Sequence, residues 1–201
     1  MKTLLAALLV TLASASAALA FDSRTEDLVG RYKAGKLVRI ADVQQLMEGS
    51  ARWCYFRDSD SCAWTDIYLE VGADEAVFEI GNAWDERTDI AYVDQGIFEG
   101  DMICQRGFDW IPSVRATRRG DGSVIGGREL HNLKAVIRDG QGDIEEKDDC
   151  FDYLFVGADE ENATITVLQR QYIGGEYDPP SDVEVTVLFD QDDADALTLR
   201  W

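Results

Sequence analysis

Tyr68-Leu69-Glu70-Val71-Gly72-Ala73-Asp74-Glu75 recurs as Tyr153-Leu154-Phe155-Val156-Gly157-Ala158-Asp159-Glu160, with seven of eight positions identical. Each copy is an apolar, β-type run that ends in glycine and acids, residues that make a tight turn cheap. A cysteine precedes each copy, Cys62 and Cys150. The echo reads as a repeated strand-turn-strand element rather than a repeated ligand loop. It points to two similar β halves, an arrangement that suits a closed barrel or a two-sheet sandwich.

The same pattern extends outward from both copies. Runs rich in Tyr, Val, Ile, Phe and Thr, broken by Gly, Asp, Asn or Pro, place strands at 52–57, 63–71, 76–81, 88–94, 97–106, 112–118, 123–126, 132–138, 150–156, 163–172, 183–189 and 196–200. Gly120-Asp121-Gly122 and Gly126-Gly127 read as tight turns, and Gly174-Gly175 with Pro179-Pro180 as a longer loop. Spacings this short leave no room for helical crossovers, so the sheet is expected to be antiparallel. Upstream of Trp53 the period is helical. Ser23-Arg24-Thr25-Glu26 is a capping box that opens a helix to about Lys33. Ile40, Val43, Leu46 and Met47 then recur at three and four residues before Gly49 stops a second helix.

The expected fold is one mainly β domain over 21–201, an antiparallel barrel or two-sheet sandwich with two short N-terminal helices and two disulfides. The layout is similar to that of lipocalin-like exported proteins, in which a meander of hairpins follows an N-terminal segment. That likeness is architectural, and no motif carries binding residues across.

Met1–Ala20 reads as a cleaved secretory signal: Lys2 is its positive region, Leu4 to Leu12 its apolar core, and Ala18-Leu19-Ala20 its cleavage site. The apolar run is too short to span a bilayer, which leaves a chain from Phe21 with no membrane span, directed to the periplasm or the medium. Removing Lys2 leaves 18 Lys and Arg against 39 Asp and Glu, a net charge of −21 (−20 minus one). Such a field repels nucleic acid and anionic lipid. With 46 % hydrophobic residues and five tryptophans, the chain nevertheless has the apolar surface to fold. Arginine-rich bases together with the Ala, Asp and Gly content suggest a GC-rich bacterial source.

Four cysteines in an exported chain imply two disulfides. Of the three pairings, Cys54 with Cys62 spans a polar, turn-like loop, and Cys104 with Cys150 follows by elimination. No Cys-x-x-Cys or zinc-type spacing supports thiol or metal chemistry.

Catalytic constellations are weak. His131 is the only histidine and stands beside an expected strand, with no Gly-x-Ser-x-Gly elbow anywhere, so it reads as structural. Asp148-Asp149 and Glu145-Glu146 offer carboxylates but read as a solvated loop. Asp190, Asp192, Asp193 and Asp195 are the best calcium candidates, with Asp58 and Asp60 second. The first set lacks the central glycine and closing glutamate of an EF-hand, so a hydrated turn is the expectation, and no metal or cofactor is expected. Arg119-Gly120-Asp121 is explained by its turn, and Asn162-Ala163-Thr164 matters only in a glycosylating host. Leu197, Leu199 and Trp201 alternate like the last strand of an outer-membrane barrel, but Asp66, Glu70, Glu79, Asp89 and Asp94 interrupt the required apolar faces.

The aromatics Trp53, Tyr55, Phe56 and Trp64, gathered around the small disulfide loop, are the candidate ligand-binding surface. The expected function is an exported, non-catalytic module that binds a small molecule or protein of the cell envelope. The alternative is an acidic carboxylate-pair hydrolase acting on glycans or envelope polymers. Two close carboxylates in a cleft, one with a raised pKa, would point to the enzyme, and an apolar cavity or aromatic patch to binding.

Overall fold

In the computed structural model, which describes residues 21–141 and 148–201, the expected β meander closes into a ring. The proposed signal segment, Glu145 and Glu146 lie outside the described residues. The chain begins with α1 (Ser23–Arg31), β1 (Lys36–Leu37) and α2 (Ile40–Gly49). It continues through β2 (Arg52–Tyr55), β3 (Ser61–Cys62), β4 (Trp64–Val71), β5 (Glu75–Asp85), β6 (Thr88–Glu99) and β7 (Met102–Gln105). Next come β8 (Arg115–Arg118), β9 (Val124–Ile125), α3 (Gly127–Gln141), β10 (Asp149–Asp159) and β11 (Thr164–Ile173). The last elements are β12 (Glu176–Tyr177), β13 (Val183–Leu188), α4 (Gln191–Ala196) and β14 (Thr198–Leu199).

Following the hydrogen bonds from β10 leads through β11, β13, β2, β4, β5 and β6, then across β7 and back to β10, antiparallel at every step. The short β7 closes the ring. It pairs with β6 at Ile97–Cys104 and Phe98–Ile103, and with β10 at Cys104–Cys150 and Phe151–Ile103. Beyond that seam, β1 extends β10 while β8 and β9 extend β6. Both disulfides form as expected, Cys54–Cys62 and Cys104–Cys150, the latter across the seam itself.

Alternation along each strand sends one face inward. Trp53 and Tyr55, Val183, Val185 and Val187, and Ile165 and Val167 all join the central core. At one end of the ring, α1 and α2 cover this core with Leu28, Val43, Leu46 and Met47, each buried. Asp42 ties the two helices together by accepting from Arg31 Nη2 at 2.7 Å and from the Tyr32 hydroxyl at 2.5 Å. Both helices were legible from period, although the first cap is Asp22 rather than Ser23: its carboxylate accepts from the Thr25 amide at 2.8 Å.

Other boundaries moved for physical reasons. The span 132–138, expected as a strand, lies within α3, where Leu130, Leu133 and Ile137 recur at helical spacing and pack on Ile90, Ile111 and Val114. Gly126-Gly127 is therefore no hairpin turn; Gly127, at φ 57°, leads into that helix. The 88–94 run continues to Glu99, and 97–106 divides at Gly100, whose φ of 59° makes the β6–β7 turn. Residues 196–200 supply only the two-residue β14, because α4 occupies the preceding segment.

The sequence echo has a specific structural content. Tyr68 and Tyr153 both pack edge-on against the buried Trp53, with ring centroids 5.3 and 5.4 Å away. The turns differ: the first copy reverses direction at Gly72 to Asp74, while the second stays in β10 to Asp159.

Candidate functional site

Opposite the helical cover, the ring is left open over a cavity of about 430 Å³, a volume suited to a small ligand. Alternation builds it. Trp64, Asp66 and Tyr68 stand at every second position of β4, and Phe151 and Tyr153 do so on β10. Phe78, on β5, lies 5.4 Å from Tyr68, and Tyr55 stacks on Trp64 at 4.8 Å. Phe56 meets the same indole edge-on at 5.8 Å. Seven aromatic side chains thus line one cavity. Its polar members are Asp66, Asp149 and Asp182, the amides of Gln105, Gln169 and Gln171, and Ser181.

Asp66 is the unusual group. Its residue is only 5 % exposed, and its Oδ2 accepts a 2.5 Å hydrogen bond from the Tyr55 hydroxyl. Its Oδ1 is buried with no hydrogen-bond partner among the described residues. Burial pushes its carboxyl up to about 7, against the opposing effect of the Tyr55 hydrogen bond and with a smaller push from the charge of Asp94. Asp94 is itself raised by burial, opposed by the Gln95 amide that donates to it at 2.8 Å. Burial likewise lifts the phenols of Tyr55, Tyr68 and Tyr153, so these hydroxyls stay protonated. Gln169 Nε2 donates to the Tyr153 oxygen at 3.0 Å.

Of the four aromatics singled out in the sequence, the structure brings Tyr55, Phe56 and Trp64 to the cavity wall. Trp53 does not reach it. Fully buried, Trp53 supports Tyr68 and Tyr153 from behind, and its indole N–H donates to Ser50 Oγ at 2.8 Å. Phe56 holds a left-handed backbone, φ 48°, just before the small disulfide loop turns, and its amide donates to the Glu184 carbonyl at 3.0 Å.

Other candidates are placed elsewhere. Asp190 caps α4 by accepting from the Asp193 amide at 3.0 Å, and Asp195 pairs with Arg52 at 3.5 Å. Asp58 exchanges backbone hydrogen bonds with Ser61, and the Asp60 carbonyl accepts from the Thr198 amide. Among the described residues, no group of three or more His, Cys, Asp or Glu side chains is gathered to hold a metal. His131 is exposed on α3. Asp148 pairs with Arg106 at 3.0 Å, whereas its neighbour Asp149 faces the cavity. No described helix is long and apolar enough to cross a membrane.

Asp66, Tyr68, Phe78 and Tyr153 escaped the sequence reading. Trp64-x-Asp66-x-Tyr68 carries the signal, since residues two apart share a strand face, but in the sequence alone the acid stands only as a break in an apolar pattern. No family model, curated protein or solved structure matches this chain.

Proposed function

We propose that the protein is a small-molecule binding module whose ligand enters the open end of the β ring. One observation carries this reading: a cavity of about 430 Å³ with seven aromatic side chains and, within it, a buried carboxylate oxygen lacking a partner among the described residues. Aromatic walls supply apolar area, and a few fixed polar groups set ligand orientation. Two disulfides suit an oxidising compartment, and the signal-like segment supports export to the periplasm or the medium.

Titration with the neutral apolar fluorophore N-phenyl-1-naphthylamine tests the reading. Saturable, one-to-one binding is expected, weakened about tenfold by Trp64→Ala and unchanged by Leu69→Ser on the exposed face. Absence of saturable binding would remove the proposal.

The hydrolase reading retains one supporting observation, the carboxyl of Asp66 raised to about 7, a value suited to a general acid. Turnover of aryl glycosides that disappears in Asp66→Asn would transfer the assignment to that class. Its absence, with probe binding intact, leaves the binding module.

A further inference from the structure

We propose that the cavity is selective for a small organic cation, an ammonium group on an apolar or aromatic body, with the ammonium seated on Asp66. This rests on the cavity being a binding site and narrows its ligand to one charge class.

The charge inventory of the walls is one-sided. Asp66, Asp149 and Asp182 line the cavity, and among the described residues no Lys, Arg or His does. Two of these carboxylates have a buried oxygen with no partner among the described residues, Oδ1 of Asp66 and Oδ1 of Asp182. The second oxygen of Asp182 accepts from the Tyr177 hydroxyl at 2.6 Å. Of the arginines that flank cavity residues in sequence, Arg106 pairs with Glu99 and Asp148, Arg170 with Asp152, and Arg57 Nε donates to the Ser59 carbonyl at 3.0 Å. A buried carboxylate oxygen without a donor is costly, so the ligand that relieves it must bring one.

Two further features favour a cationic donor over a neutral one, and a third sets its size. Aromatic faces attract cations, and an ammonium on Asp66 would sit among Tyr55, Trp64 and Tyr68. The chain as a whole carries a formal charge of −20, a field that concentrates cations and repels anions at the mouth. The cavity volume of about 430 Å³ suits a one- or two-ring amine and not a folded peptide.

The test is calorimetry on the mature, disulfide-bonded chain with three ligands of similar shape: 2-phenylethylammonium, 2-phenylethanol and 3-phenylpropanoate. At about pH 8 and low salt, the ammonium is expected to bind at least tenfold tighter than the alcohol, and the carboxylate not to bind. Asp66→Asn should abolish that preference by weakening the ammonium far more than the alcohol. Should Asp66→Asn not fold, the ligand series on the unaltered protein decides alone. If the alcohol or the carboxylate binds as tightly as the ammonium while N-phenyl-1-naphthylamine still binds, the cation inference is overturned and the binding module stands. If none of the three nor the fluorophore binds, both fall.

Discussion

Asp66 makes the fold sensitive to pH in a direction opposite to that of a salt-bridged acid. Its carboxyl stays protonated up to about pH 7 in the folded chain but ionises near the ordinary carboxylate value when unfolded. The folded state therefore holds the proton more tightly between those values. The associated stability is fully present below the unfolded pKa and is lost as pH rises through about 7, a loss on the order of 4 kcal/mol. Of the groups facing it, the phenols of Tyr55, Tyr68 and Tyr153 are raised and remain protonated, while Asp94, also raised by burial, adds a change of the same sign. Asp66→Asn keeps the shape and a carbonyl for the Tyr55 hydroxyl but cannot ionise. Urea unfolding should show the variant close to the parent at or below about pH 3.5 and clearly more stable near pH 8; equal pH slopes in the two proteins would refute the burial of this carboxyl. Phe56 presents a second trade at the cavity rim. Its φ of 48° is strained for a residue with a Cβ, so Phe56→Gly should relieve about 1 kcal/mol of strain while removing a ring from the wall. A higher melting temperature with weaker fluorophore binding is the expected pair of results, and tighter binding would contradict the placement of Phe56. At this scale the sequence was half legible. Aromatic residues near a disulfide loop drew attention to Tyr55, Phe56 and Trp64, but alternation reveals only that two residues share a face, not that the face is a polar-floored interior.

Among the elements, the four-residue β7 bears the most on shape for its length. Four residues bridge β6 and β10, and they approach closely because position 96 carries no side chain. A Cβ on Gly96 would lie 2.5 Å from Ile103 Cγ1, and Ile103 is a wall of the cavity. Gly96→Ala should therefore cost about 1–3 kcal/mol through overpacking, read as a lower urea midpoint at unchanged slope. An alanine variant as stable as the parent would mean that β7 does not sit against β6 as described. Local elements were readable where a single period dominates: Ile40 to Met47 gave α2, and alternation with flanking turn residues gave β4, β10, β11 and β13. The failure at α3 has a physical cause. Its Leu130, Leu133 and Ile137 form a helical stripe that packs on a small satellite core, but Gly126-Gly127 just before it carries the residue signature of a hairpin turn. The strand pattern does not reveal which strand closes the ring, because the β7–β10 pairing joins residues far apart in the chain; only the expected Cys104–Cys150 bond links those two runs.

For the whole molecule, the decisive question is what keeps the ring shut around a cavity that a continuous core would have filled. On either side of β7 only three residue pairs hold the seam, whereas β5 and β6 pair along most of their lengths. Cys104–Cys150 lies at that weak point, joining residues 46 apart, while Cys54–Cys62 joins residues 8 apart beside the cavity rim. In the chain-entropy account the first contributes about 4 kcal/mol and the second about 2.5 kcal/mol, so the larger constraint falls at the seam, which shares with β2–β4 the shortest pairing in the ring. Removing the pair as Cys104→Ala with Cys150→Ala should have a local signature as well as a global one. Amide exchange should accelerate first in Met102–Gln105 and Asp149–Phe151, with β4 and β5 still protected, and fluorophore binding should weaken because Ile103 and Phe151 are cavity walls. Removing Cys54–Cys62 should instead loosen the loop that follows Phe56 and leave the seam protected. If the seam variant exchanges uniformly around the sheet, closure does not depend on β7; if exchange begins at the seam and binding fails with it, an intact ring is what holds the aromatic cavity in shape.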